Sequence, residues 1–94
     1  MMKKYVIVCQ GFAVPAVDCP DINKFLAHYD PDTGVVGRGT VRWTPALDKA
    51  LLFDTQSAAF DCYMLVSKKV PKRPDGKPNR PLTSYSVSIE QVSL

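Results

Sequence analysis

Near the end of the chain, Ser84-Tyr85-Ser86-Val87-Ser88-Ile89-Glu90 alternates strictly between polar and apolar residues. Successive strand side chains point to opposite faces, so Tyr85, Val87 and Ile89 share one face and the serines the other. A sheet with one wet face needs a cover on its dry one. The substantial helical pattern that can supply it runs from Gln56 to about Ser67, with Ala59, Phe60, Tyr63, Met64 and Val66 recurring at spacings of three and four. Asp54 or Thr55 stands where a cap belongs, Lys68 and Lys69 suit the negative end of the helix dipole, and Pro71 enforces a stop. The expected fold class is therefore α+β, a three- to four-stranded, mostly antiparallel sheet with one helix packed across one face.

The remaining elements fit around that pair. Tyr5-Val6-Ile7-Val8-Cys9 is apolar without alternation and predicts an inner strand. Gly11, Pro15, Asp18, Pro20 and Asp21 predict a loop. A strand over Lys24 to Tyr29 is expected to stop at Asp30-Pro31-Asp32-Thr33-Gly34, whose turn chemistry predicts a hairpin tip, with a return strand from Gly39 to Trp43. Thr44-Pro45 predicts a single helical turn, followed by a short extended stretch at Leu51-Leu52-Phe53. Phe25, Trp43, Phe53, Phe60 and Tyr63 are the expected aromatic core.

Ninety-four residues, with 46% hydrophobic and 22% charged, are expected to fold as one small domain spanning 1–94, without a second. The cysteines Cys9, Cys19 and Cys62 are odd in number and irregularly spaced, so they build neither a disulfide framework nor a four-ligand zinc site, which points to a reducing cytoplasm. Lys3 and Lys4 before an apolar run imitate a signal peptide, but Gln10 and Gly11 interrupt the run. No stretch approaches the ~18 apolar residues of a membrane span.

The catalytic inventory is thin. His28 is the sole histidine, set mid-strand beside Phe25 and Tyr29 without a local partner, and Cys62 sits in the helix where an inert buried thiol is expected. No catalytic residue, metal or cofactor is assigned. DPDTG lacks the third acidic position and closing glutamate of a calcium loop. Gly34, Gly37 and Gly39 lead into a strand and not into a helix N-terminus, so they suit a bulge or bend better than a phosphate cradle.

One segment differs in kind. Four of the chain's eight prolines, Pro71, Pro74, Pro78 and Pro81, mark a basic arm at residues 68–82. Between Lys68 and Arg80 it holds six cations, Lys68, Lys69, Lys72, Arg73, Lys77 and Arg80, against Asp75, a local charge of +5 in a chain of +3. Prolines are expected to stiffen it toward polyproline II, with Pro74-Asp75-Gly76 turning at its middle. It reads either as a solubilising crossover loop or as a contact surface for a protein, with nucleic acid as the alternative partner, using Lys72, Arg73, Lys77, Arg80 and also Lys3 and Lys4 on phosphates. No aromatic sits inside the arm to stack on bases.

The layout resembles that of small accessory proteins encoded by phages and prophages, an orphan family of unknown function. KKYVIV, KFLAHYDPDTG, VRWTPALDKALLFDTQSAAF and RPDGKPNRPLTSYSVSIE carry the resemblance over most of the chain. It implies a non-enzymatic, cytoplasmic protein of a mobile element, in a class where some members look like inhibitors of host defence complexes, and it brings no functional residues with it. The expected function is binding of a host or phage macromolecule, a protein in the first place, through the arm and the wet sheet face.

Overall fold

The computed structural model describes residues 2–14, 18–35 and 38–94, so Pro15 of the predicted loop and Gly37 of the glycine series lie outside the described residues. Among the described residues four strands, β1 (Lys3–Phe12), β2 (Phe25–Val35), β3 (Gly39–Thr44) and β4 (Tyr85–Ser93), form one antiparallel sheet in the order β3-β2-β1-β4. Helix α1 (Gln56–Tyr63) packs against β1 and β4, which makes this the α+β fold that the alternation predicts. Its N-cap is Thr55, whose hydroxyl accepts from the Ala58 N–H at 3.0 Å.

β1 is the inner strand, and Val6, Ile7, Val8 and Cys9 are all buried. Ile7 faces Ile89 across the β1–β4 pair, and Cys9 faces Val87. The core is Ile7, Leu26, Ala59 and Leu82, fully buried, with Tyr5, Trp43, Phe53, Tyr63 and Tyr85 packed around them. Each large aliphatic buried this way contributes about 1.5–3 kcal/mol.

The joint between β1 and β2 is unusual. The two strands meet at Val8 and Phe25, and the chain after the 3-10 turn Leu47–Lys49 continues along both. Leu51 donates to the Leu26 carbonyl at 2.9 Å, and Tyr5 and Phe53 exchange two backbone hydrogen bonds of 2.9 Å. The short extended stretch expected at Leu51-Leu52-Phe53 thus satisfies backbone groups that β1 and β2 would otherwise leave open.

Three expectations change. β2 does not stop at Asp30 but runs on to Val35, which pairs with Gly39. The turn chemistry of Asp30-Pro31-Asp32 is still present, since Asp30 Oδ1 accepts the Asp32 N–H at 2.9 Å, but it makes a bulge inside the strand pair and shifts the register between Asp30 and Val35. Gly39 is required there, because at φ +70 a Cβ would stand 2.5 Å from the Asp30 carbonyl oxygen.

The helix is also shorter than its pattern. It ends at Tyr63 because Ser67 is held elsewhere, its N–H on the Asn79 carbonyl and its hydroxyl on Asp32, which draws the chain off the helical path. With Ala59, Cys62 and Tyr63 facing the sheet, Phe60 turns outward and is 51% exposed, so it is not a core residue. Phe25 is half-buried and stands outside the central cluster.

Candidate functional site

The arm begins on an anchor. Ser67 is buried, and its hydroxyl donates to Asp32 Oδ1 at 2.9 Å while accepting the Val70 N–H at 3.0 Å. The same Asp32 oxygen accepts the backbone N–H groups of Lys68 at 2.7 Å and Lys69 at 2.9 Å. The Lys69 N–H above all, with the Ser67 hydroxyl and the Lys68 N–H, holds the Asp32 carboxyl below its ordinary pKa. An aspartate of the predicted hairpin tip is thus the clasp of the basic segment.

Beyond the clasp the arm closes on itself, which corrects the polyproline II expectation. Lys72 bridges to Pro78, Arg73 donates to the Lys77 carbonyl at 2.8 Å, and Gly76 donates to the Arg73 carbonyl at 2.9 Å. Pro74 and Asp75 form the turn, Gly76 takes φ +82 after it, and the Asp75 carboxylate accepts the Lys77 N–H at 3.0 Å. This is the hydrogen-bonding of a three-residue hairpin loop with a glycine bulge, and it outweighs proline's extended preference because it pairs backbone groups that an open arm leaves to water. The far end is fastened as well. Asn79 is buried, with its N–H on the Pro71 carbonyl and its side-chain amide on the Val70 carbonyl, both at 2.9 Å, and Pro81 and Leu82 are buried beyond it. The arm's last residues are therefore core and not excursion.

Lys68, Lys69, Lys72, Arg73 and Lys77 are all exposed. Among the described residues, ion pairs join Lys4 to Asp54 and Lys24 to Asp21, and none involves an arm cation. Arg80 is different. Half-buried, it donates from Nε to the Met64 carbonyl at 3.0 Å, just past the end of α1, and so serves as a helix-end cation. Lys3 and Lys4 lie opposite Ser93 and Val92, at the other end of the sheet from the arm, and do not join this site.

The structure adds residues that the linear sequence does not connect. A cleft of about 450 Å³ opens beside the hairpin, lined by Arg38 and Val41 of the β2–β3 side and by Arg73, Pro81, Ser84 and Tyr85. Tyr85 packs on Phe12 with ring centroids 5.3 Å apart and meets Trp43 edge-on at 5.2 Å. Its backbone carbonyl accepts the Tyr63 hydroxyl at 2.8 Å, and burial pushes its own hydroxyl pKa up. Arg73 also reaches the Thr83 hydroxyl at 3.5 Å. Arg38 and Arg73 thus line, together with Tyr85, a cleft with no carboxylate among its described lining residues, an arrangement suited to carboxylate or phosphate groups. The signal for Arg38 was its place in the turn before β3, but only the β2–β3 pairing brings it to Arg73.

The wet face is less cationic than the arm. Gln10 donates to Ser88 at 2.9 Å and Ser88 to Glu90 at 2.8 Å, so this face carries a polar relay ending in a carboxylate. His28 is exposed on β2 opposite Arg42. Cys62 is half-buried with its thiol pKa raised by burial, and Cys9, also raised by burial, is pushed up to about 11 with its sulfur 3.8 Å from that of Cys19. Among the described residues no group of three His, Cys, Asp or Glu is placed to hold a metal ion, and no helix is long and apolar enough to cross a membrane. The chain matches no family model, no curated protein and no solved structure.

Proposed function

We propose that this chain is a non-enzymatic binding protein of the phage or prophage accessory type, and that it grips an acidic segment of another protein with the hairpin cations Lys68, Lys69, Lys72, Arg73 and Lys77 and with Arg38. The observation that carries the reading is electrostatic: among the described residues none of these arm cations closes an ion pair with a carboxylate, Asp32 acting on Lys68 only through its backbone amide and at longer range, while the backbone beneath them is pinned by Asp32, Ser67 and Asn79. A preordered charge cluster loses little conformational freedom on binding, and it steers an acidic partner during encounter. The cleft beside it gives a carboxylate-bearing side chain an apolar wall and two guanidinium donors. The reading places the protein in a reducing cytoplasm, where the adjacent Cys9 and Cys19 thiols stay unbridged.

The test is a pull-down with the whole chain as bait, at low and high salt, beside the double variant Arg73→Glu, Lys77→Glu. The expected result is a stoichiometric protein partner retained by the wild type at moderate salt and lost by the variant. Recovery of no stoichiometric partner, or equal recovery by the variant, contradicts the reading. Recovery of nucleic acid that falls steeply with salt transfers the site to phosphates.

A further inference from the structure

β4 is an edge strand, and among the described residues no strand pairs with its outer edge. Met2 and Leu94 exchange backbone hydrogen bonds, Ala13 donates to the Ser84 carbonyl, and Tyr5 and Cys9 direct their amides away from β4 to Phe53 and Lys24. By the alternation of an antiparallel ladder, Ser86, Ser88, Glu90 and Val92 therefore face β1 with their amides and carbonyls, while Val87, Ile89, Gln91 and Ser93 direct theirs outward. Tyr85 also points outward but is already occupied, its N–H on the Leu82 carbonyl and its carbonyl on the Tyr63 hydroxyl.

Natural sheets protect such an edge with proline, lysine, a bulge or a covering element. From Tyr85 to Ser93, β4 contains no proline and no cation, and its sole charge is Glu90. Its one register shift with β1 lies near Gly11, away from the open stretch. Next to the edge, α1 presents Phe60, 51% exposed and bordering the same shallow depression as Ile89. An open hydrogen-bonding row beside an exposed aromatic is a strand-pairing surface.

We propose that β4 pairs antiparallel with β4 of a second copy of this chain, about a two-fold axis through Ile89, joining two sheets into one. Self-pairing is favoured because the edge is complementary to itself about Ile89. Centred on Ile89, the pairing sets Val87 opposite Gln91 and Ser88 opposite Glu90, so every outward N–H and C=O of Val87, Ile89 and Gln91 is exchanged and the only charge meets a hydroxyl. Centring on Glu90 opposes two carboxylates, and centring on Ser88 spends the exchange on Tyr85, whose groups are taken. In the Ile89 register both Phe60 rings lie on the same face as the paired isoleucines. The two Tyr85 ends, each beside a cationic cleft, then fall roughly 27 Å apart along the strands, at about 3.4 Å per residue. The pairing itself does not depend on what the clefts bind.

The test is light scattering of the full chain across a concentration series, with amide hydrogen exchange on the same samples, for the wild type and Gln91→Pro. Proline at 91 removes an outward donor and leaves the β1–β4 ladder intact. The expected result is a wild-type mass that doubles with concentration, exchange at Val87, Ile89 and Gln91 slowing about tenfold or more in step with it, and a Gln91→Pro protein that stays monomeric. Should that variant fold poorly, the wild-type exchange pattern decides. A wild type that stays monomeric, with those amides exchanging freely at every concentration, overturns the proposal, as does a dimer that a well-folded Gln91→Pro protein retains. The variant Arg73→Glu, Lys77→Glu is expected to dimerise normally, which separates this result from the fate of the binding site.

Discussion

The carboxylate of Asp32 lies 2.9 Å from the hydroxyl of Ser67, a residue 35 positions away, and the same oxygen receives the amides of Lys68 and Lys69. One acidic side chain therefore ties the β2–β3 pair to the root of the cationic hairpin, and the hairpin's cations project from a fixed base.

This clasp makes the arm sensitive to acid. Folding lowers the Asp32 pKa, so its contribution is complete above the ordinary carboxylate value near 3.9 and is lost as the pH falls through the lowered folded value. Protection of the Lys68 and Lys69 amides, taken as exchange relative to the intrinsic rate at each pH, is expected to be high at neutral pH and to be lost on acidification below that range. In Asp32→Asn the two amides are expected to exchange faster at neutral pH, with that acid-induced step gone. A wild type whose exchange keeps the same pH trend as the variant contradicts the clasp.

The end of the arm carries core energy. Leu82 is fully buried, so Leu82→Ala is expected to cost about 2–5 kcal/mol in urea unfolding. Phe60→Ala, at a residue 51% exposed, is expected to cost under about 1 kcal/mol when the protein is dilute. The opposite order would return Phe60 to the core.

These two residues also show what the sequence could and could not disclose. Periodicity identified β4 and the helix, because burial repeats locally at two and at three or four residues, and an unbroken apolar run identified β1 as covered on both faces. It overcounted the helix face, since Phe60 satisfies the spacing as well as Ala59 does and only the position of the sheet edge distinguishes them. It passed over Leu82, an isolated apolar residue among prolines and cations. The composition of the arm located its exposed cations, but not the closed hairpin, which depends on long-range fastening by Asp32 and Asn79. Arg38 and Tyr85 meet Arg73 through sheet topology, and no local pattern encodes that meeting.

Arg80 separates structure from binding within one cationic run. It holds the Met64 carbonyl beyond α1, so Arg80→Ala is expected to lower stability by about 1 kcal/mol in chemical unfolding. Its partner binding is expected to stay near the wild-type level, whereas Arg73→Glu is expected to reduce binding tenfold or more at low salt, a change of about 1.4 kcal/mol.

Thiol chemistry is expected to be slow at Cys9 and Cys62. The Cys9 pKa is pushed up to about 11, and burial raises Cys62, so at pH 8 both stay protonated. Alkylation of the folded protein is expected to run at least about tenfold slower than in denaturant, and equal rates would show that the thiols are not shielded.

The account turns on exposed cations held ready beside an aromatic cleft. The most direct measurement is an amide NMR titration of the whole chain at low salt with a short glutamate- and aspartate-rich peptide. The account predicts shifts concentrated at Arg38, Arg73, Lys77, Ser84 and Tyr85, abolished in Arg73→Glu, Lys77→Glu. Shifts spread evenly over Lys3, Lys24, Lys49 and the arm, or none at all, would contradict it.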